Sequence, residues 1–371
     1  MRILSTLILA ALFGTTAHAQ GVITRIGSDG THFYYNGVSD LQNVFDHATQ
    51  NGLGKDTILM SGGVYNLELL PNSATVLSIS SPVVVVGTGI RADSSVVYGG
   101  MTEFIGYGRR IVLSNDADST EMHGVTFNTS GNSYDIWLGS NLADSDVDHL
   151  RFFRCNIRGL VLGYIDNNIT LADNILIEEC VIGSSLNVQQ SNMVVIRNSS
   201  VRFLRSAGSA SNVDVRNCII PFYSGGSLAG NEGVNYLNTV FLTNSTNLNV
   251  SENSVYTRCL FVGNGQEFPQ NLTFNSGIVE TATMTATSLA VAFPGVPSPA
   301  GYAEHQFNGD YTIALPYLGT DDTPLGLYGG DAPWKDGSLP FNPHWSLLTT
   351  HGNTSNGVLQ GVHIKASAQE N

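Results

Sequence analysis

Short apolar segments recur along the middle of the chain, and seven of them can be aligned so that all four cysteines fall in one column. The spacings between successive members of this cysteine column are 30, 25, 19, 19, 21 and 20 residues. Around it, apolar and polar residues alternate with the period of a strand that buries one face. A repeat near twenty residues without a helical period predicts a solenoid with three short strands per coil. The cysteine column consists of Val125, Cys155, Cys180, Ser199, Cys218, Thr239 and Cys259.

Two polar columns mark the turns between the predicted strands. Seven positions before the cysteine column the residues are mostly Asp, Asn, Glu or Ser, whose side chains bond nearby backbone N–H groups. One position before it stand Asn198, Asn217 and Asn238. Asparagine tolerates the left-handed backbone conformation that such turns need. We expect the three amides to bond to one another as a short asparagine ladder.

This pattern resembles the right-handed parallel β-helix of the pectate-lyase-like superfamily over roughly residues 57–290. The segments DTILMSGGVYNLELL and SPVVVVGTG, at the start of that range, are similar to the usual first coils of the superfamily. The resemblance implies an all-β, right-handed parallel β-helix of the kind found in secreted bacterial repeat proteins. No motif of a specific enzyme family is matched, and one fold hosts many chemistries.

The flanking segments differ from the repeat and divide the chain into four parts. Residues 1–19 have a positive end, an apolar core and the A-x-A sequence of a secretory signal peptide. Residues 20–56 predict an N-terminal cap with one amphipathic helix, and residues 57–290 form the predicted β-helix. Residues 291–371 predict an irregular C-terminal cap with one tail strand. The apolar face of the predicted cap helix consists of Leu41, Val44, Phe45 and Ala48.

The signal peptide predicts a protein that is secreted to the periplasm, the extracellular space or the outer cell surface, and no transmembrane segment is expected. Four cysteines in a secreted chain often form disulfides. Here, however, neighbouring coils lie roughly 4.8 Å apart and side chains in one column point the same way. We therefore predict four buried free thiols.

The charge of the chain limits its partners. The formal net charge is −14, and the three lysines lie outside the regular coils. Nucleic acid binding needs a basic surface, so nucleic acid is excluded as a partner. The negative net charge and the lack of lysines in the regular coils also disfavour simple electrostatic binding of acidic polysaccharides.

One outward-facing column is apolar. The position that follows the cysteine column holds Val181, Ile219, Val240 and Leu260. An apolar stripe of this length is unusual on the surface of a monomer. Either the C-terminal segment covers the stripe or a partner does, and we favour the C-terminal segment. The chain is then expected to be a monomer.

Two consecutive coils carry long loops, at residues 128–143 and 158–168, which are expected to lie side by side. Aromatic rings that stack on sugar faces, next to amides and charged groups, suit a carbohydrate groove. Alternatively, the rings only pack the loops onto the solenoid. The candidate ligand-binding residues are Tyr134, Asp135, Trp137, Asn141, Arg158, Tyr164, Asp166 and Asn167.

Two classes of function remain open. The first is a non-catalytic glycan-binding, adhesive or structural solenoid, favoured by the regular repeat, the 12% charged residues and the missing catalytic motif. The alternative is a polysaccharide-active enzyme, a lyase or glycoside hydrolase, that uses the two long loops. We predict no cofactor and no metal cluster, with calcium at Asp144 and Asp146 as the alternative.

Overall fold

The computed structural model of the chain describes most of the repeat and parts of both flanking segments. The predicted signal peptide and the pair Asp144 and Asp146 lie outside the described residues. The described residues are 22–50, 54–70, 74–90, 100–114, 116–130, 135–138, 147–163, 172–188, 191–205, 212–221, 233–242, 254–263, 279–297, 305–314, 317–334, 344–349, 354–355, 358–359 and 363–367.

Short strands are the main secondary-structure elements of the described chain. Two α-helices accompany them, α1 (Leu41–Gln50) and α2 (Leu289–Ala292). The strands in chain order are β1 (Val22–Ile26), β2 (His32–Asn36), β3 (Asp56–Met60), β4 (Gly63–Asn66), β5 (Val76–Ile79), β6 (Val83–Val86), β7 (Thr102–Tyr107), β8 (Arg110–Leu113), β9 (Glu121–His123), β10 (Val125–Ser130), β11 (Ile136–Leu138), β12 (Arg151–Phe153), β13 (Asn156–Ile157), β14 (Leu160–Gly163), β15 (Asp173–Glu178), β16 (Val181–Val188), β17 (Asn192–Arg197), β18 (Ser200–Arg205), β19 (Val213–Arg216), β20 (Ile219–Ile220), β21 (Val234–Leu237), β22 (Val240–Leu242), β23 (Val255–Thr257), β24 (Leu260–Val262), β25 (Val279–Thr281), β26 (Met284–Ala286), β27 (His344–Thr349), β28 (Thr354–Ser355), β29 (Val358–Leu359) and β30 (His363–Ser367).

These strands stack as the coils of a parallel β-helix, as the repeat predicts. Sheet A runs β2-β1-β3-β6-β9-β12-β15-β17-β19-β21-β23-β25, and it is parallel from β3 onward. Sheet B runs β4-β7-β10-β13-β16-β18-β20-β22-β24-β26. A third ladder, β5-β8-β11-β14, joins sheet B through β16. In β16 and β18 the second and third strands of the coil are one continuous strand, with a register shift between them.

The interior of the solenoid is one apolar core in which equivalent side chains stack from coil to coil. Phe241 lies over Phe261 with ring centroids 4.9 Å apart, and Tyr236 lies over Tyr256 at the same distance. All four rings are buried. Each such side chain contributes about 1.5–3 kcal/mol by leaving water, so the stacked columns are the main source of stability.

The turn from sheet A to sheet B has a left-handed residue in every regular coil. This is the position one before the cysteine column, where we expected asparagine to adopt this conformation. Charged residues adopt it as well, which the sequence pattern did not indicate. The φ angles are 61° at Gly124, 51° at Arg154, 50° at Glu179, 47° at Asn198, 50° at Asn217, 50° at Asn238 and 53° at Arg258.

The geometry of this turn explains the composition of the cysteine column. Except at Val125, the side chain in the column donates a hydrogen bond to the carbonyl two residues earlier in the same turn. Cysteine, serine and threonine are the small side chains that carry an S–H or O–H donor for it. The distances are 2.8 Å from Ser199 Oγ to Arg197 O, 3.1 Å from Cys218 Sγ to Arg216 O and 3.1 Å from Thr239 Oγ1 to Leu237 O.

All four cysteines are free and buried, as the column predicts. Cys155 and Cys180 occupy adjacent coils, yet each thiol donates to a backbone carbonyl of its own turn, at Phe153 and Glu178 respectively. Burial raises the pKa of Cys218 to about 12 and raises that of Cys180 as well. The thiols of Cys180 and Cys218 are therefore protonated at neutral pH, and all four thiols are enclosed.

We predict that a thiol reagent added to the native protein modifies none of the four cysteines, and that it modifies all four after unfolding without reductant. Only the exposed thiolate reacts, and burial removes both exposure and thiolate. Rapid labelling of a native thiol would contradict the buried column. Fewer than four reactive thiols in the unfolded chain would show a disulfide.

The N-terminal cap closes the first coil with a helix and a hairpin. The helix α1 buries Leu41, Val44, Phe45 and Ala48, which confirms the predicted face. The hairpin β1-β2 was not predicted, and its strand β1 pairs antiparallel with β3.

The C-terminal segment covers the outward apolar stripe, as predicted. Val181, Ile219, Val240 and Leu260 are all buried, and they belong to a second apolar core outside the solenoid. Ile90 also belongs to it. The other members come mainly from the last coils and the C-terminal cap, among them Phe293, Tyr311, Leu325, Leu327 and Trp334.

The asparagine ladder was predicted wrongly, because the side chains of Asn198 and Asn238 bind the C-terminal cap and no hydrogen bond joins the three amides in the described part of the chain. Asn198 Nδ2 donates to Leu327 O at 2.9 Å and to Gly329 O at 2.7 Å. Asn238 Oδ1 accepts from the N–H of Thr320 at 3.0 Å. The left-handed turn points these amides outward, so they are available to the cap.

We predict that Asn198→Asp destabilises the protein more than Asn198→Gly does. Both changes tolerate φ 47° and leave two buried carbonyls without a donor, at a cost of about 1–3 kcal/mol. Aspartate additionally places a carboxylate against those carbonyls. Urea unfolding measures both variants. The control is Asn174→Gly at a left-handed position (φ 57°) whose side chain forms no hydrogen bond to any described residue, and equal effects at the two positions would contradict the docking role.

Candidate functional site

The three outer faces of the solenoid differ in how much of them is covered. The later coils of sheet B lie beneath the C-terminal cap. On the third ladder the outward row is buried at Val112, Val161 and Asn187, half-buried at Ser78 and Trp137, and exposed at Arg205. Within the described part of the chain, the outward row of sheet A that includes Tyr34 is half-buried or exposed along its length, except at the buried Glu178.

The open face carries a continuous row of side chains in register, which we call the A row. Its first half is apolar and aromatic, and Tyr34 at its start is 74% exposed. Its middle is charged. The row runs Tyr34, Thr24, Leu59, Val86, His123, Phe153, Glu178, Arg197, Arg216, Leu237, Thr257 and Thr281.

A hydrogen-bonded network of three ionisable side chains lies in the centre of this face. Lys55 Nζ contacts Glu121 Oε1 at 2.6 Å, and the other oxygen of Glu121 contacts His123 Nε2 at 3.1 Å. The imidazole stacks on the ring of Phe153 with centroids 4.8 Å apart. Arg151 is the register partner of Glu121 in the next coil.

Burial and hydrogen bonds lower the pKa values of both His123 and Glu121, each through a different cause. Burial lowers the pKa of His123, although the bond to Glu121 opposes the shift. Burial acts to raise the pKa of Glu121, but its bonds to Lys55 and His123 outweigh burial, and the pKa is lowered. At neutral pH the site therefore combines a carboxylate, an ammonium and a neutral imidazole.

Further along the face, charges are compensated by neighbours. Arg197 donates to Glu178 at 2.6 Å, and Arg216 Nε donates to Asp214 at 2.9 Å. Asp214 and Arg151 belong to a second outward row beside the A row. In the two rows the acids Glu121, Glu178 and Asp214 balance the arginines Arg151, Arg197 and Arg216.

The bases of the two long loops lie side by side, as expected. The N–H of Asp135 donates to the carbonyl of Gly159 at 2.8 Å, and Ile136 pairs with Leu160. Of the candidate ligand-binding residues, the structure describes Asp135, Trp137 and Arg158. The candidates Tyr134, Asn141, Tyr164, Asp166 and Asn167 lie outside the described residues.

Asp135 joins the two loops from inside the molecule. Asp135 is 0% exposed. Its carboxylate accepts hydrogen bonds from the hydroxyl of Thr129 and from the backbone N–H groups of Arg158 at 2.6 Å and Gly159 at 3.3 Å. Burial raises its pKa to about 6, against the lowering effect of these bonds. Because the carboxylate is enclosed, its contacts are those of a residue that holds the turn.

Trp137 and Arg158 are placed differently. The guanidinium of Arg110 lies 4.8 Å from the centre of the Trp137 ring, a cation–π contact that occupies one face of the ring. Arg158 is exposed in the bend between β13 and β14 and donates to the carbonyl of Thr129 at 2.9 Å. The structure therefore brings Asp135 and Arg158 together through the backbone amide of Arg158, and not through its guanidinium.

Sequence reasoning missed the A row. The signal was present two positions before the cysteine column, where an outward strand position holds His123, Phe153, Glu178, Arg197 and Arg216 in consecutive coils. A strand stays soluble with any polar residue at its outward position, so an aromatic or charged residue at this position in five consecutive coils was a signal of function.

Comparison with known proteins does not assign a family. No protein-family model, curated protein or solved structure matches the chain. In the described part of the chain, no three His, Cys, Asp or Glu side chains are grouped as metal ligands. No helix there has the length and apolar character of a membrane span.

We predict that Asp135→Asn gains stability relative to the unchanged protein as the pH rises from 4 to 7.5. The pKa of Asp135 is raised from 3.8 to about 6 on folding, so this carboxyl stabilises the fold fully below pH 4 and loses that contribution as the pH passes 6. The relative gain over this pH range is about 2.4 kcal/mol. It is measured by urea unfolding at each pH.

Two comparisons check this assignment. Thr129→Val removes a hydrogen bond that lowers the pKa of Asp135, so the pH dependence should move to higher pH. If the stabilities of the unchanged protein and Asp135→Asn run parallel over this pH range, the buried carboxyl does not titrate as described.

Proposed function

We propose that this is a secreted or cell-surface, monomeric β-helix protein that binds glycans along the outer face of sheet A without cleaving them. The observation that carries the proposal is the difference in coverage among the faces. The outward rows of later sheet B and of the middle of the third ladder are buried, while the A row is half-buried or exposed except at Glu178. A solenoid with one open face presents an extended surface, the usual binding surface of repeat proteins.

The dimensions and chemistry of the face suit an extended polymer. Twelve strands spaced about 4.8 Å apart give a face about 53 Å long. Tyr34 offers an exposed ring at one end, mainly apolar and aromatic side chains follow in the first half of the A row, and charged and hydroxyl side chains predominate in the second half. Sugar residues combine apolar ring faces with hydroxyl groups, so a polysaccharide matches this combination.

The charges favour glycans without acidic groups. Acids and arginines on the face balance, and the whole chain carries −14. A polyanionic glycan would gain little attraction at the face and would be repelled by the remainder of the chain. We therefore propose neutral polysaccharides as the ligand class.

An enzyme that acts on polysaccharides remains the second candidate, and one observation favours it. The carboxylate of Glu121 forms a hydrogen bond with His123 Nε2. In a neutral imidazole the other ring nitrogen is then the proton acceptor. Arg151 lies beside this pair in the next coil. Such an arrangement could accept a proton from a bound sugar, at a position different from the loops 128–143 and 158–168.

We predict that Tyr34→Ala weakens binding of the chain to a neutral polysaccharide about fivefold, the loss expected for about 1 kcal/mol of ring contact. Residues 20–371 would be titrated with soluble glucans, mannans and, for comparison, polygalacturonate and alginate. The matched control is Tyr107→Ala, because Tyr107 is 71% exposed on the outer face of sheet B.

The same reactions decide between the two functions. Binding without new reducing or unsaturated ends supports the glycan-binding solenoid. New ends that disappear in His123→Gln would establish the enzyme. Binding to none of the polysaccharides, or equal losses in Tyr34→Ala and Tyr107→Ala, would contradict the proposed use of sheet A.

A further inference from the structure

The hydrogen-bonded network on sheet A contains one ring nitrogen whose chemical role depends on pH. Glu121 Oε2 contacts His123 Nε2 at 3.1 Å, and a carboxylate only accepts hydrogen bonds, so the proton of the neutral imidazole lies on Nε2. The other nitrogen, Nδ1, is then an acceptor, and no described residue forms a hydrogen bond with it. When the imidazole is protonated, Nδ1 becomes a donor.

The imidazole is held in one orientation but stays in contact with solvent. It stacks on Phe153 with the ring planes 19° apart and the centroids 4.8 Å apart. Glu121, which fixes Nε2, is itself bound to Lys55 at 2.6 Å. The side chains of Lys55, Glu121 and His123 are between 23% and 28% exposed. A ligand on this face can therefore reach the ring without displacing the network.

One cationic side chain next to the network has no partner of its own in the described part of the chain. Arg151 is half-buried and is the register partner of Glu121 in the next coil. Its guanidinium forms no ion pair or hydrogen bond with a described residue. Since Glu121 compensates Lys55, protonation of His123 adds a second uncompensated positive charge beside that of Arg151.

The surroundings of His123 determine when that charge appears. Burial lowers the pKa of His123 most, the bond to Glu121 raises it, and the charges of Lys55 and Arg154 lower it further. Arg154 is buried and bound to Glu179. The neighbouring strand β6 and the described residues that follow it, up to residue 90, carry no ionisable side chain. The ring is therefore neutral at pH 7 and becomes charged at a pH below 6.5.

We propose that His123 sets the ligand preference of the A row according to pH. With a neutral ring, Nδ1 accepts a hydrogen bond from a sugar hydroxyl. With a charged ring, Nδ1–H and Arg151 together bind the carboxylate of an acidic sugar. The inference rests on the proposed function for the choice of a glycan as ligand, and it adds uronate-containing glycans as ligands at acidic pH.

A carboxylate suits the charged form of this site. Hydrogen bonds between two ionised groups are stronger than those between neutral groups. Salt at 0.15 M screens charges beyond about 8 Å, so distant acids of the chain oppose such a ligand only weakly. A carboxyl with a pKa of about 3.5, like an α-carboxyl group, stays ionised at pH 4.5. Glu121 also stays ionised there, because its pKa is lowered, and it continues to hold the ring.

The test compares a galacturonate tetramer with its fully methyl-esterified counterpart, which lacks the negative charges. Both are titrated into residues 20–371 at pH 7.5 and pH 4.5. The ratio of the two affinities should shift about tenfold toward the acid at the lower pH. His123→Gln should abolish this shift. The matched control is His149→Asn, which removes an exposed histidine from a left-handed turn position (φ 59°) shortly before β12 and should retain the shift.

Two further readouts distinguish a contact with the ligand from a structural role. In NMR, the imidazole signals of His123 should titrate with a midpoint below pH 6.5, and the acid tetramer should raise that midpoint because it binds the charged ring better. Lys55→Gln removes a charge that lowers the pKa of His123, so the midpoint and the change of preference should both move to higher pH.

Other outcomes overturn the inference. An unchanged shift in His123→Gln, or an equal loss in His149→Asn, would show that the overall charge of the chain governs the preference. A midpoint that the acid tetramer leaves unchanged would exclude contact with the ring. Binding of neutral polysaccharides without the shift would refute the inference and leave the proposed function intact. Failure of neutral polysaccharides to bind, with the shift present, would refute the proposed function alone.

Discussion

The left-handed residue between sheet A and sheet B is the constraint from which much of this structure follows. The left-handed residue reverses the chain within a single turn. The carbonyl of the residue before it then lies within reach of the side chain of the residue after it. A small side chain with a hydrogen-bond donor then satisfies that carbonyl, which accounts for cysteine, serine and threonine in one column. The same turn directs its own side chain outward, and at Asn198 and Asn238 that side chain binds the C-terminal cap. One turn geometry thus couples the register of the coils to the attachment of the cap.

The repeating part of the fold could be predicted because every coil obeys the same rule. Period-two apolar residues, the cysteine column and the apolar stripe at Val181 each have a separate physical reason, and the structure bears out all three. The hairpin β1-β2 escaped prediction because its antiparallel pairing occurs once and leaves no repeat. The role of the asparagines was mistaken because a ladder and a docking surface require the same residue type. Only the position of residues 317–334 distinguishes them.

In the candidate site, too, some features could be predicted from the sequence and others could not. The proximity of the two loop bases followed from their order in the chain. The enclosure of Asp135 did not, since burial of one carboxyl depends on how Thr129 and the amides of the next coil surround it. The A row was missed because outward strand positions are ordinarily variable and polar. Its significance appears only when the coverage of the other faces is known. The coverage leaves a largely open, charge-balanced face on one side of a strongly acidic chain, which is the basis for the proposal that this face binds glycans.

The most direct test of the account is hydroxyl-radical footprinting with and without a bound neutral polysaccharide. Two sets of exposed side chains report on two faces in the same sample, Tyr34 and Leu59 on sheet A and Tyr107 and Leu69 on the other side. The account predicts that the ligand protects Tyr34 and Leu59 and leaves Tyr107 and Leu69 as reactive as before. Protection of Tyr107 and Leu69 with continued reaction at Tyr34 would contradict it.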